Sequence, residues 1–143
     1  MNIKVLYHTK TGNTKKVAEA IACAVGVPAE EITAEKKISG LDLLFIGDGL
    51  YGGTVGKKTK AFILSLNPSE VKAAAVFSTY GGQDKVNGIL KSLLQERGIA
   101  VQEDVFGCRG KAWWIINRSH PNAEELRAAG EFAKRAVEVF KGK

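Results

Sequence analysis

The sequence predicts an α/β fold, a doubly wound sandwich whose five-stranded parallel sheet, ordered 2-1-3-4-5, carries helices on both faces. Two observations predict it. Short apolar runs alternate with amphipathic helical segments along the 143 residues, a rhythm that builds parallel sheets through right-handed crossovers. Three of those runs are almost wholly apolar, as strands buried on both faces are, while two are more polar and read as edge strands.

The elements follow in order. Ile3–Tyr7 is the first apolar run and the first strand. Thr14–Val25 sets Val17, Ala18, Ile21, Ala22 and Val25 on one helical face, with Lys15, Lys16 and Glu19 opposite. Ala29–Thr33 is a weak second strand. Leu43–Ile46 is the third, and it leads through a glycine-rich loop to a helix over Lys57–Leu66, with Phe62, Ile63 and Leu66 in its stripe. Ala73–Phe77 is the fourth strand. The helix over Asp84–Arg97 aligns Val86, Ile89, Leu90, Leu93 and Leu94 and stops at Gly98. Ile99–Phe106 is the polar fifth strand. The last helix, Asn122–Phe140, aligns Leu126, Ala129, Ala133, Ala136, Val137 and Phe140 and closes near Gly142. With strands two and five at the edges, the order 2-1-3-4-5 puts a topological switch point between strands one and three, where ligands bind in such sheets. No linker, repeat or low-complexity stretch interrupts residues 1–143, which read as one domain.

Composition narrows the function. Hydrophobic residues make up 45% and charged residues 25% of the chain, values of a folded domain rather than a disordered one. No leader-like or membrane-length apolar run occurs, so a cytoplasmic protein with no membrane partner is expected. His8, His120, Cys23 and Cys108 lack metal-ligand spacing, and no metal is expected. The net charge of +6 comes from scattered lysines without interleaved aromatics, which argues against nucleic acid. No nucleophile–base pair is evident, so no catalytic side chain is assigned.

The loops after strands one, three and four carry the chemistry. Thr9-Lys10-Thr11-Gly12-Asn13-Thr14 runs straight into a helix. Hydroxyl donors, a glycine and unpaired N–H groups at a helix start form a phosphate site. Here the chain resembles the flavodoxin family, whose phosphate loop reads Thr/Ser-x-Thr-Gly-Asn-Thr. The resemblance continues in Asp48-Gly49-Leu50-Tyr51-Gly52-Gly53 after strand three, and in Thr79-Tyr80-Gly81-Gly82 after strand four. Phe106-Gly107-Cys108 and His120-Pro121-Asn122 extend it to nearly the whole chain. It implies a flavodoxin-like fold and one FMN cofactor, the first loop on its phosphate and the other two on its ring. Tyr51 or Tyr80 would stack on that ring.

The resemblance further implies an electron carrier, monomeric, serving a redox partner protein. Two readings stand beside it: an FMN-dependent NAD(P)H oxidoreductase, and a flavin-free binding module of the same fold. Two departures bear on the choice. Asp48 stands where many relatives carry serine, and a carboxylate beside a phosphate would weaken FMN binding unless the side chain is turned away or paired. Most flavodoxins are acidic, whereas Lys10, Lys57, Lys58, Lys85, Arg109, Lys111 and Arg118 fall around the expected ligand edge here. That reversal predicts an acidic partner surface and a less reducing hydroquinone.

Overall fold

The computed structural model describes residues 1–33, 36–49, 55–80, 85–109 and 121–142, with the backbone alone at Tyr80, Cys108 and Arg109. Five parallel strands form one sheet in the order β2-β1-β3-β4-β5. They are β1 (Ile3–Tyr7), β2 (Ala29–Glu31), β3 (Leu41–Gly49), β4 (Val71–Tyr80) and β5 (Phe106–Arg109). The helices are α1 (Asn13–Val25), α2 (Lys57–Ser65), α3 (Val86–Glu96) and α4 (Ala123–Lys141), with a 3-10 turn at Pro68–Glu70 before β4. The predicted fold class and strand order are those observed.

The pleat explains why the central strands are apolar on both faces. Val5 and Tyr7 of β1, Leu43 and Phe45 of β3, and Ala75 and Phe77 of β4 join the core under α1 and α4. The alternate residues Leu6, Leu44, Ile46, Ala74 and Val76 join the core under α2 and α3. Each face therefore takes every second residue of the same three strands. α4 centres on Phe132, a fully buried residue that the sequence stripe passed over. Its ring meets Phe45 edge-on at 6.0 Å and lies 5.9 Å from Phe106. Burying a ring of this size contributes about 1.5–3 kcal/mol.

The fifth strand differs from expectation. Ile99–Phe106 does not run as one strand. Val101 forms a single parallel bridge to Ala74, and β5 proper begins only at Phe106, opposite Phe77. Five steps from Val101 to Phe106 thus face three from Ala74 to Phe77, so two extra residues loop out. The polar run explains it. Glu103 and Asp104 are exposed, with Asp104 paired to Arg135 at 3.0 Å. Gln102 turns inward and donates its Nε2 to Ala136 O at 2.9 Å. Burying two carboxylates in the sheet would cost far more than a bulge.

Because the strands are parallel, β1, β3 and β4 all deliver the chain to the same sheet edge, and α1, α2 and α3 all start there. No described helix is long and apolar enough to cross a membrane.

Candidate functional site

β1 ends at Tyr7, and His8 extends its ladder by donating N–H to Gly47 O at 3.1 Å. The next four residues turn the chain into α1. Gly12 closes that turn at φ 89°, a left-handed conformation that a Cβ would strain. Its N–H bonds the Thr9 hydroxyl oxygen at 2.9 Å, so Thr9 holds the loop's shape from within. No side chain caps α1. The N–H groups of Asn13, Thr14 and Lys15 therefore have no acceptor inside the helix, and the helix dipole concentrates positive potential there.

Two loop side chains are buried at this helix start. Thr14 is completely buried, its Oγ1 2.8 Å from Thr79 Oγ1 at the end of β4. This hydroxyl pair joins the first and third of the predicted loops. Asn13 is 2% exposed, and its Oδ1 has no hydrogen-bond partner. Asn87 Oδ1 and Gln102 Oε1 are likewise buried without partners, and what sets Asn13 apart is its place at the uncapped start of α1. Thr9 is half-buried, while Lys10 and Thr11 are exposed.

Asp48, near the end of β3, is paired. Its side chain is wholly buried and occupied on every side. Oδ1 accepts from Gly49 N at 2.7 Å and lies 2.9 Å from His8 Nδ1, while Oδ2 accepts from Gly56 N at 2.9 Å. Gly56 is the residue before α2, so this carboxylate caps α2 from across the chain. Gly56 is glycine for want of room: a Cβ there would sit 2.6 Å from the His8 ring. The partners of Asp48 are a histidine and two backbone amides, so the carboxylate is paired rather than turned away. The signal available was His8 itself, which follows β1 as Asp48 nears the end of the adjacent β3.

Of the remaining predicted residues, Gly49 and Thr79 are buried at the ends of β3 and β4. Leu50, Tyr51, Gly52, Gly53, Gly81 and Gly82 lie outside the described residues, as do Lys111, Trp113, Trp114, Arg118 and His120. The side chains of Tyr80, Cys108 and Arg109 are likewise not described, and Cys23 is an exposed free thiol on α1. Among the described residues no group of acids, histidines and cysteines is arranged to hold a metal.

The charges sort by position. Lys4 and Lys36 both bond Glu30, at 3.0 and 2.9 Å, and Lys72 bonds Asp42 at 3.1 Å. Lys36, with Lys4, holds the Glu30 carboxyl below the usual range, and the Asn2 N–H, with Lys72, does the same for Asp42. By contrast Lys15, Lys16, Lys57, Lys58, Lys60 and Lys85, all in the first turns or at the caps of α1, α2 and α3, have no carboxylate within 4.0 Å among the described residues.

A flavodoxin-domain family profile matches residues 4–114. The chain belongs to that family. An uncharacterised protein of Methanocaldococcus jannaschii is 28% identical over 134 residues, spanning 85% of this chain and 88% of its own. Among solved structures, a flavodoxin from the domain Archaea superposes with a TM-score of 0.81 at 21% identity, covering 99% of both chains. A flavodoxin, WrbA-like protein from Agrobacterium tumefaciens gives 0.78 at 18% identity, covering 99% of this chain and 98% of that one. These two likenesses are of fold.

Proposed function

We propose that this flavodoxin-domain chain binds one FMN at the carboxyl edge of its sheet and carries electrons to a partner protein. The observation that carries the reading is the start of α1, where uncapped N–H groups, the Thr9–Gly12 turn and the buried, unpartnered Asn13 Oδ1 converge. Backbone amides and threonine hydroxyls would hold the phosphate dianion, and Asn13 Oδ1 would accept a hydroxyl from the ribityl chain. Thr79 would keep Thr14 in place through their shared hydrogen bond. By family resemblance Gly49 to Gly53, with Tyr80, Gly81 and Gly82, would enclose the ring and exclude water. When bound, FMN supplies the one- and two-electron chemistry, so the protein needs only to hold, orient and tune it.

The lysines at the starts of α1, α2 and α3 favour an acidic surface on the partner. They also favour a flavin whose negatively charged reduced forms are easier to reach than in an acidic relative.

An FMN titration of the apoprotein, read by flavin fluorescence with riboflavin in parallel, tests the reading. One charge-assisted hydrogen bond is worth ~1.5–3 kcal/mol, so losing two or more phosphate contacts should weaken riboflavin by about 100-fold or more. Equal binding of the two flavins removes the phosphate assignment. Binding of neither leaves a flavin-free module of flavodoxin fold.

A further inference from the structure

We infer that Asp48 and His8 form a positioning pair for the anion loop, so that this buried carboxylate promotes phosphate binding although its charge alone would oppose it. The inference rests on the FMN reading above and concerns residues that would not touch the cofactor.

The geometry assigns the carboxylate three jobs at once. Through His8 Nδ1, at 2.9 Å, it fixes the residue directly before Thr9, where the anion loop begins. Through Gly56 N, at 2.9 Å, it fixes the start of α2. Through Gly49 N, at 2.7 Å, it fixes the end of β3. The His8 backbone also donates to Gly47 O at 3.1 Å, so His8 is tied to β3 by main chain and side chain together. Rotation of the ring would break one tie, and the ring packs so close to Gly56 that a Cβ there would meet it at 2.6 Å.

Burial makes the arrangement strict. Asp48 is 0% exposed and the His8 side chain 14%, so solvent offers little replacement for a lost partner. A serine at 48 would offer one hydroxyl to three donors. An anion loop that must present several N–H groups to one phosphate loses affinity when its first residue is free to shift, because the ordering must then be done on binding. The carboxylate oxygens are already engaged by the His8 ring and by two backbone amides, one of them at the positive end of the α2 dipole, so the carboxylate's repulsion of a phosphate is weakened.

The two accounts of Asp48 predict opposite signs. FMN and riboflavin dissociation constants would be measured for the wild type, Asp48→Asn, His8→Ala, His8→Asn and the His8→Ala/Asp48→Asn double variant, with unfolding curves for each. Asn at 48 puts an NH₂ against one of the backbone donors. At ~1.5 kcal/mol per lost charge-assisted bond, Asp48→Asn and His8→Ala should each weaken FMN about tenfold or more, with riboflavin changed less than about threefold. His8→Asn, whose amide NH₂ can reach where Nδ1 lies, should recover most of the loss. The double variant should be little worse than either single one.

Tighter FMN binding in Asp48→Asn would show simple repulsion and overturn the inference. So would additive losses, or equal losses for both flavins. Should Asp48→Asn fail to fold, the His8→Ala and His8→Asn comparison decides alone, failure of the asparagine to rescue counting against the pair. A wild type that does not prefer FMN overturns the functional reading itself, and this inference with it.

Discussion

At the start of α4 the chain closes its own helix. Asn122 accepts from Glu125 N at 2.9 Å, Glu125 reaches back to Asn122 N at 3.1 Å, and Glu124 adds a second acid to the first turn. At the starts of α1, α2 and α3 none of this occurs. Their own cap residues, Gly12, Gly56 and Lys85, make no side-chain cap bond, and their first turns hold no acid. Lysines stand there instead, against the helix dipole. α4 follows an edge strand, whereas the other three follow β1, β3 and β4, the interior of the sheet. On the FMN reading, the difference would separate a helix start closed for stability from helix starts left to an anion. At α2 the chain's own Asp48 supplies part of that negative charge.

The comparison breaks most visibly if the lysines are reversed. Lys57→Glu/Lys58→Glu changes the local charge by four units. At ~12 Å in water, each unit acts on a trivalent ion with about 1 kcal/mol before screening, and screening at 0.1 M reduces that by roughly threefold. Oxidation of the reduced, FMN-loaded protein by ferricyanide should therefore slow by about tenfold, and oxidation by hexaamminecobalt(III) should speed up comparably. Stopped-flow traces for the two oxidants, at equal FMN content, check this. Equal changes with both would show that charge at α2 does not govern approach to the flavin. The same variant should gain up to about 1 kcal/mol in unfolding stability, since acids suit a helix start better than lysines.

Where the sequence was readable, the reason is physical. β1, β3 and β4 are legible because strands buried on both faces need apolar residues at nearly every position, and Ile3–Tyr7, Leu43–Ile46 and Ala73–Phe77 supply them but for Lys4, at the half-buried start of β1. Their ends are less legible: Asp48 and Gly49 complete β3, where a charged residue and glycines read as loop. β5 was displaced because β-branched Val101 and the polar residues after it look like an edge strand, while Phe106-Gly107-Cys108 looks like a loop. The turn ahead of α1 was legible as a local motif, since five residues at a helix start carry it. The Asp48–His8 tie was not. It joins residues 40 apart, and only the strand register sets them side by side.

The closed helix supplies the next test. Asn122→Ala removes the side-chain acceptor of Glu125 N and leaves only the reciprocal bond from the backbone N–H of residue 122 to Glu125, a loss of about 1 kcal/mol for a cap of this kind. Chemical denaturation should show that loss with no change in FMN affinity, because Asn122 belongs to the helix closed for stability. A change in FMN affinity beyond about twofold (~0.4 kcal/mol) would mean that the start of α4 is also part of the site, and the contrast with α1 would fail.

The smallest effect concerns lysines that do have partners. Lys36 and Lys4 converge on Glu30 and lower its affinity for protons in the folded state. A depressed folded pKa means that the unfolded chain binds the proton more readily. The pair's contribution is thus present above the ordinary glutamate value of 4.5 and lost as pH falls through the folded value below it. Glu30 is about a third exposed, so solvent screens the pair to under ~1 kcal/mol. Glu30→Gln should accordingly unfold slightly more easily than wild type at pH 7, and the two should converge as the pH drops below 4.5. Lys57→Gln, at a lysine that pairs with no carboxylate among the described residues, should show no such convergence, because removing it breaks no such ion pair. If both variants converged alike, the division between paired lysines at β2 and open lysines at the helix starts would have no energetic content.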